Sequence, residues 1–310
     1  MSADNPSVSI LMNCYNGELY LREAIDSVIA QTYESWELVF WDNQSTDDSA
    51  AICRGYGDSR IRYFYSQQHT NLGAARDLAL RETRGELVAV LDTDDIWLPT
   101  KLERQVPYFR DPQIGIVISD TLFFNGHGKQ RRLFRNGPPP QGRVFGALLS
   151  NYFVSLETVV LRKKAIESQE HAFDERLSHI SDFDLVVRLS ATWKLACVHE
   201  VLAKWRVHTD SASWREPDRF YREKMEFVHI MDSAASLSNE WSQSRQLFLD
   251  KTSFSEAVRR LSVGDAPGCR ALVSQQSQSN KKSMVLYALS WMPFVKWLMR
   301  FFRKVTGAWV

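Results

Sequence analysis

The chain has 310 residues, enough for a complete α/β core and an extension. Its formal charge of +1 argues against nucleic acid as the main partner. The four cysteines, Cys14, Cys53, Cys197 and Cys269, form no C-x-x-C and no disulfide framework, which suits a reducing cytosol.

Met1 to Pro6 lack the basic and apolar regions of a signal peptide, so a cytoplasmic chain is expected. Val8–Met12 reads as a strand, and Leu19–Ala30 places Leu21, Ala24, Ile25, Val28 and Ile29 at helical spacing. Trp36–Trp41 is a second strand, ending in Asp42, and Asp47–Tyr56 a helix with cap candidates from Ser45 to Asp48. Ile61–Tyr65 is a third strand and Leu72–Thr83 a third helix. Leu87–Leu91 is a fourth strand, short and aliphatic, running directly into Asp92, Asp94 and Asp95. Strands alternating with helices of this length predict a mostly parallel sheet covered on both faces. The carboxyl ends of such strands share one edge, where Asn13, Asp42 and Asp92 would converge on a crevice. Clustered carboxylates repel each other and are best tolerated around a hard cation, Mg²⁺ or Mn²⁺, that also holds substrate phosphates. An acidic helix start with Pro99 in its first turn accounts for the cluster equally well on its own. No G-x-G-x-x-G or G-x-x-x-x-G-K-[ST] is present, which argues against a dinucleotide or ATP in the usual loops.

Five ordered motifs carry a resemblance. Val8–Gly17 is similar to the opening strand and "P-T-Y-N" turn of family-2 glycosyltransferases, and Ala24–Tyr33 to the helix ending in "Q-T-Y". Glu37–Asp47 resembles "E-(apolar)₄-D-D-G-S-x-D", with Asn43-Gln44 in place of Asp-Gly. Asn71–Asp77 resembles a shortened "N-x-G-x-x-x-A-R-N", and Leu91–Pro99 matches "L-D-x-D-D-x-(W/Y)-x-P". The likeness continues more weakly to about residue 213. Phe173–Leu177 and Ser181–Leu189 resemble "F-D-E-x-L … E-D-x-D-L-x-L-R", with Ser181 in place of Glu. Lys204–Ser213 resembles "Y-R-x-H-x-x-S-x-S".

The resemblance implies a GT-A fold and an inverting, metal-dependent hexosyl-type transferase. It would use a nucleotide-diphospho-sugar donor and a glycan or lipid-linked acceptor, in bacterial cell-surface polysaccharide or glycolipid synthesis. Residues 1–100 would bind the nucleotide, 101–213 would complete the sheet and bind the acceptor, and 214–310 would form a helical extension. The resemblance makes Asp182 the catalytic base, at the start of a helix over Phe183–Ser190. It assigns Asn13, Tyr15, Asp42, Asn71, Asp92, Asp95 and Arg206 to the donor, with Asp95 either on a sugar hydroxyl or holding its loop. Asp94 and His208 are the expected ligands of Mn²⁺ or Mg²⁺. Alternation over Trp205–His208 puts Arg206 and His208 on one strand face. Asp184 would be a second carboxylate in the first helical turn, favoured there by the dipole. Two other readings remain open: a nucleotide-sugar-binding protein without catalysis, and a nucleotidyltransferase, which lacks here any Gly-rich basic phosphate loop near the first strand.

Two stretches look accessory. Asn125–Arg143, with four glycines, three prolines and Lys129, Arg131, Arg132 and Arg135, reads as a mobile loop, either a lid or a plain excursion. After Asp265 no acidic residue remains. Lys296, Arg300, Arg303 and Lys304 form one helical stripe opposite Val295, Leu298, Met299, Phe302 and Val305, flanked by Trp291, Trp297 and Trp309. Pro293 and the charges make a poor transmembrane span, so this segment predicts a helix lying in an anionic membrane surface, peripheral at the inner face. A helix docked on protein is the competing expectation.

Overall fold

The computed structural model describes residues 7–125, 128, 130–208, 216–233, 238–274 and 281–292. Strand β1 (Val8–Cys14) is buried along its whole length, because it lies between two parallel neighbours, β2 (Trp36–Asp42) and β4 (Leu87–Val90). β3 (Ile61–Tyr65) extends the parallel half beyond β2. The helices α1 (Glu18–Ile29), α2 (Ser49–Arg54) and α3 (Leu72–Arg81) form the crossovers. Leu21, Ala24, Ile25 and Val28 are the buried stripe of α1, as the helical spacing predicted.

The second half is mixed rather than parallel. Short β5 (Ile96–Trp97) and the helix α4 (Lys101–Gln105) precede a long β6 (Ile114–Phe124), and then come β7 (Gln130–Arg132), α5 (Phe145–Ser150), β8 (Val160–Arg162), α6 (Lys163–Glu167), α7 (Ser181–Thr192) and β9 (Lys194–Arg206). The nine strands of the described residues form one sheet, ordered β3-β2-β1-β4-β8-β6-β9-β5, with β7 on β6. β8 runs antiparallel to both β4 and β6, so the parallel sheet expected from strand–helix alternation stops at β4.

The stretch 125–143 is not the open loop expected from its composition. β7 pairs antiparallel with the end of β6. The fully buried Asp120 accepts hydrogen bonds from Arg132 Nε (2.7 Å) and from the backbone N–H of Thr121 and Phe134. One buried carboxylate thus pins the hairpin through Arg132, one of the basic residues that had suggested mobility, and through the backbone of Phe134.

The chain divides into two compact units, Met1–Phe227 and Val228–Val310, later than the expected boundary at 213/214. The reason lies in α8 (Pro217–Ser233), whose first turns belong with the sheet: Glu223 accepts hydrogen bonds from the backbone N–H of Ser178, His179 and Ile180. The second unit contains α9 (Ser238–Val263), α10 (Ala266–Ser274) and α11 (Lys281–Leu289), with Trp241, Phe248, Ala257, Leu261 and Cys269 buried. No helix of the described residues is long and apolar enough to cross a membrane. The basic stripe at 296–304 lies outside the described residues. Met284, Val285 and Tyr287 of α11, and Trp291 and Met292 just after it, are exposed.

Candidate active site

β4 ends at the rim of the sheet, and Asp92 stands there half-exposed. Its carboxylate pairs with Arg76 Nη2 at 3.0 Å. Arg76 comes from α3, is buried, and donates through Nη1 to Ser181 Oγ at 3.1 Å. Ser181 opens α7, and Asp182 follows it in the first turn. One guanidinium therefore ties residues 76, 92 and 181 together, and sets Asp182 beside the acidic rim. Burial raises the Asp182 carboxyl above the ordinary aspartate range; Arg76 opposes this and Asp92 adds to it. A half-buried carboxyl with raised affinity for a proton is suited to taking one from a hydroxyl.

The short β5–β9 ladder brings together residues far apart in sequence. Ile96 pairs with Lys204 and Trp97 with Ala203, so Asp94 and Asp95 lie against Arg206. Asp95 Oδ1 accepts the Arg206 N–H at 2.9 Å, and Arg206 Nε donates to the Asp94 carbonyl. Asp95 is buried, and burial beside Glu157 and Asp94 raises its carboxyl well above the usual range. Of the two expectations for Asp95, this placement is that of a residue holding the loop. Arg206 pairs with Glu23 at 2.9 Å and stacks over the rings of Tyr20 and Phe124. Two arms of its guanidinium are thus engaged by the fold, although the resemblance had assigned Arg206 to the donor. His208 lies on the same side, as the alternation predicted, with Nε2 2.8 Å from Asp94 Oδ2. The His208 Nδ1 is buried without a partner among the described residues.

No group of three or more metal-ligating side chains occurs among the described residues. The Asp94–His208 pair supplies one carboxylate oxygen and one imidazole nitrogen. That set fits Mn²⁺ or Mg²⁺ when phosphate oxygens and water complete the shell.

The opposite flank is built from the turns after β1 and β2. Asn13 is buried near the end of β1, and both polar atoms of its side-chain amide lack a partner among the described residues. Tyr15 is 56% exposed, and its ring lies 4.4 Å from that of His69. His69 is held by Nδ1 at 2.9 Å from the Asn43 carbonyl oxygen. Asp42 is fully buried: it accepts from Ser45 N at 2.7 Å and from the Tyr63 hydroxyl. It stiffens the turn after β2, whose Ser45 hydroxyl accepts the N–H of Asn16, next to Tyr15. Asn71 caps α3, accepting from Ala74 N at 3.0 Å and donating to the Glu175 carbonyl at 2.6 Å. Its amide links the start of α3 to the segment leading to Asp182.

A sequence model described as glycosyl transferase family 2 matches residues 9–168, just over half of the chain. The chain belongs to glycosyl transferase family 2. An uncharacterized glycosyltransferase of Rickettsia typhi is 30% identical over 219 residues, 66% of this chain; the match spans 65% of that protein's length. An Escherichia coli protein, UDP-Glc:alpha-D-GlcNAc-diphosphoundecaprenol beta-1,3-glucosyltransferase WfgD, is 28% identical over 68% of this chain and 81% of its own. Among solved structures, S. aureus TarS 1-349 in complex with UDP-GlcNAc superposes with a TM-score of 0.64 at 16% identity, covering 95% of this chain and 87% of that one. The fold of this glycosyltransferase is thus of the GT-A type.

Against the family pattern, three positions of this transferase have a physical reading. Gln44 stands where the pattern has glycine, and adopts φ +70. That strain is offset by Nε2 hydrogen bonds to the carbonyls of Ser66 and Gln67. Ser181 replaces the patterned Glu, so Arg76 meets a hydroxyl there instead of a second carboxylate. Asp184 is fully buried and ion-paired to Arg188 at 2.6 Å, while Arg188 also donates to the carbonyls of His171 and Ala172. That Asp184 pair secures the start of α7 against the preceding loop.

Sequence reasoning missed four contributors. Arg76 lay inside a quoted motif, and a lone Arg amid Ala and Leu in a buried helix face was the available signal. His69 carried none, nor did Tyr152, whose buried hydroxyl lies close enough to Asp182 and Arg76 to feel their charges. Glu223, a residue of the presumed extension, accepts three backbone N–H groups just before Asp182. Burial acts to raise its carboxyl, yet bonds from His179, Arg219 and Ile180 hold it below the usual range.

Proposed function

We propose that the protein is an inverting glycosyltransferase that moves a sugar from a nucleoside-diphosphate donor to a hydroxyl of a lipid-linked or glycan acceptor, in cell-surface polysaccharide or glycolipid synthesis. The observation that carries this is the Arg76 bridge, which joins the Asp92 rim to the start of α7, where Asp182 stands with a raised proton affinity. The WfgD and TarS likenesses favour a uridine donor, and WfgD favours an acceptor on a lipid diphosphate.

In this reading the unpartnered Asn13 amide and the exposed Tyr15–His69 rings receive the nucleoside, with Asp42 supporting their turn. Asp94 and His208 would hold Mn²⁺ or Mg²⁺. The bound cation would neutralise charge on the leaving diphosphate. Asp182 takes the proton of the acceptor hydroxyl as that oxygen attacks the anomeric carbon from the face opposite the diphosphate. A single in-line displacement needs one base, so one such carboxylate suffices and the configuration inverts. Asp95 and Arg206 keep the loop in place during the step.

The exposed apolar residues Met284, Val285, Tyr287, Trp291 and Met292, and the acid-free basic run after them, support peripheral attachment to an anionic inner membrane face. Incubating the full chain with a panel of nucleotide sugars and Mn²⁺ tests the reaction class. Release of nucleoside diphosphate supports the transferase. Pyrophosphate release would make it a nucleotidyltransferase, and release of neither would leave a binding protein.

A further inference from the structure

The hairpin that Asp120 pins has a second consequence. A cavity of about 440 Å³ lies between β7 with the turn after it and the segment Asn151–Phe153. Its lining includes Arg131, Arg132 and Arg135 and no acidic residue. Arg132 is neutralised by Asp120 at 2.7 Å. Arg131 lies over the Phe123 ring, and neither Arg131 nor Arg135 has a carboxylate partner among the described residues. Two exposed guanidiniums therefore face a pocket without a counter-charge, a setting that favours an anion with several acceptor oxygens.

The cavity also connects to the chemistry. Tyr152 lines it, and its hydroxyl is buried and unpartnered among the described residues. The Tyr152 ring packs edge-on against Phe183 at 4.8 Å, and Phe183 follows Asp182 in α7. None of the residues assigned to the donor lines this cavity. The buried Tyr152 hydroxyl lies close enough to Asp182 and Arg76 to feel their charges, so one side chain both lines the cavity and neighbours the base.

We infer that this cavity is an acceptor subsite for phosphate, so that Arg131 and Arg135 recognise the diphosphate joining the acceptor sugar to its carrier. The inference rests on the transferase reading above. It adds that the enzyme selects acceptors by their phosphates as well as by the sugar. The donor diphosphate is left to the cation-dependent rim, since a carboxylate-lined rim and an arginine-lined cavity take phosphate by different means.

The test uses the full chain, saturated with uridine diphosphate and Mn²⁺ so that the donor site is filled. Butyl diphosphate is then titrated by calorimetry. Binding is expected in the wild type, weakened at least tenfold in Arg131→Gln/Arg135→Gln and retained in Tyr152→Phe. Unchanged uridine diphosphate affinity in the double variant shows that it is folded. Asp94→Ala should lose the nucleotide and keep butyl diphosphate. If the nucleotide binds but butyl diphosphate does not, or binds the double variant equally well, the subsite is refuted and the donor reading stands. If the nucleotide fails to bind while butyl diphosphate binds in an arginine-dependent way, the donor reading fails and the phosphate subsite stands. If the double substitution abolishes binding to phosphatidylglycerol vesicles but leaves butyl diphosphate affinity intact, the arginines serve a lipid surface and the proposal is overturned.

Discussion

His208 Nε2 lies 2.8 Å from Asp94 Oδ2, although 114 positions of sequence separate the two residues. The two-residue β5, paired antiparallel with the end of β9, is what brings them together. A contact so dependent on one short ladder is expected to report on both partners.

Asp94→Ala should therefore weaken Mn²⁺-dependent donor binding most, and His208→Ala less, because a carboxylate suits a hard cation better than an imidazole. Loss of a ligand or of its support typically costs about 10- to 100-fold in metal affinity. Calorimetry with donor, with and without Mn²⁺, measures this. Undiminished affinity in Asp94→Ala would remove the cation from the model of the site.

Asp182→Asn should lower turnover by at least ~10²-fold while leaving donor binding intact, since it removes the base and keeps the shape. The stability effect has the opposite sign. Burial raises the folded-state carboxyl, so the native state holds more protons than the unfolded chain above the ordinary aspartate pKa. Stability then falls as pH rises through that window, and an ionised Asp182 costs stability at neutral pH. The Asn variant is expected to melt no lower than wild type at pH 7, with an activity–pH profile that loses its acidic limb. A near-normal rate would assign the proton elsewhere.

Glu223→Gln should destabilise the protein by about 1–3 kcal/mol, the usual range when a hydrogen-bonded charge is lost. Three N–H groups and Arg219 would lose their anion. Because the Glu223 carboxyl is held below the usual range, its contribution is fully present above the unfolded glutamate pKa and is lost as pH falls through the lower folded value. Urea unfolding across the acid range should show the wild type losing this advantage and converging on the variant. A parallel pair of curves would place the stabilising anion at another residue.

Gly73→Ala should be costly because a Cβ there would meet the carbonyl oxygens of Leu177 at 2.2 Å and Asp174 at 2.6 Å. Both are backbone atoms, so α3 and the 174–177 segment must separate. Overpacking of this kind costs about 1–3 kcal/mol. Since Arg76 is one turn further along α3, turnover should fall with stability. A variant with wild-type melting temperature would mean that α3 tilts freely.

Deleting residues 284–310 should abolish co-sedimentation with anionic vesicles at low salt and leave donor hydrolysis unaffected. Each basic residue near an anionic leaflet contributes about 1 kcal/mol at best, so wild-type binding should also weaken as salt rises. Equal sedimentation of the full and shortened chains would favour a helix docked on protein.

The parallel half of the sheet was legible because its signals are local. Val8–Cys14, Trp36–Asp42 and Leu87–Val90 are apolar runs that end where a polar residue meets the rim, and the stripe of α1 follows from its spacing. The antiparallel insertion of β8 was not legible, since a three-residue strand has no periodicity to read. Composition misjudged 125–143 because it cannot show that Asp120, a single acidic residue upstream, is buried beneath Arg132.

For the site, residue types and order along the chain pointed by themselves to the strand-end carboxylates, and the family resemblance added Asp182 and His208. Which of them stay available was decided only by the tertiary structure. Asp42, Asp95, Arg206 and Asn71 are bonded into turns and loops, whereas Asn13, Asp182 and His208 keep unpartnered or perturbed atoms. The physical reason is that burial and pairing depend on groups 16 to 114 positions away, as with Arg76 on Asp92 and Ser181 and His208 on Asp94. Local sequence sets where a carboxylate enters the rim; the neighbours that only the fold supplies set its charge and its freedom to act.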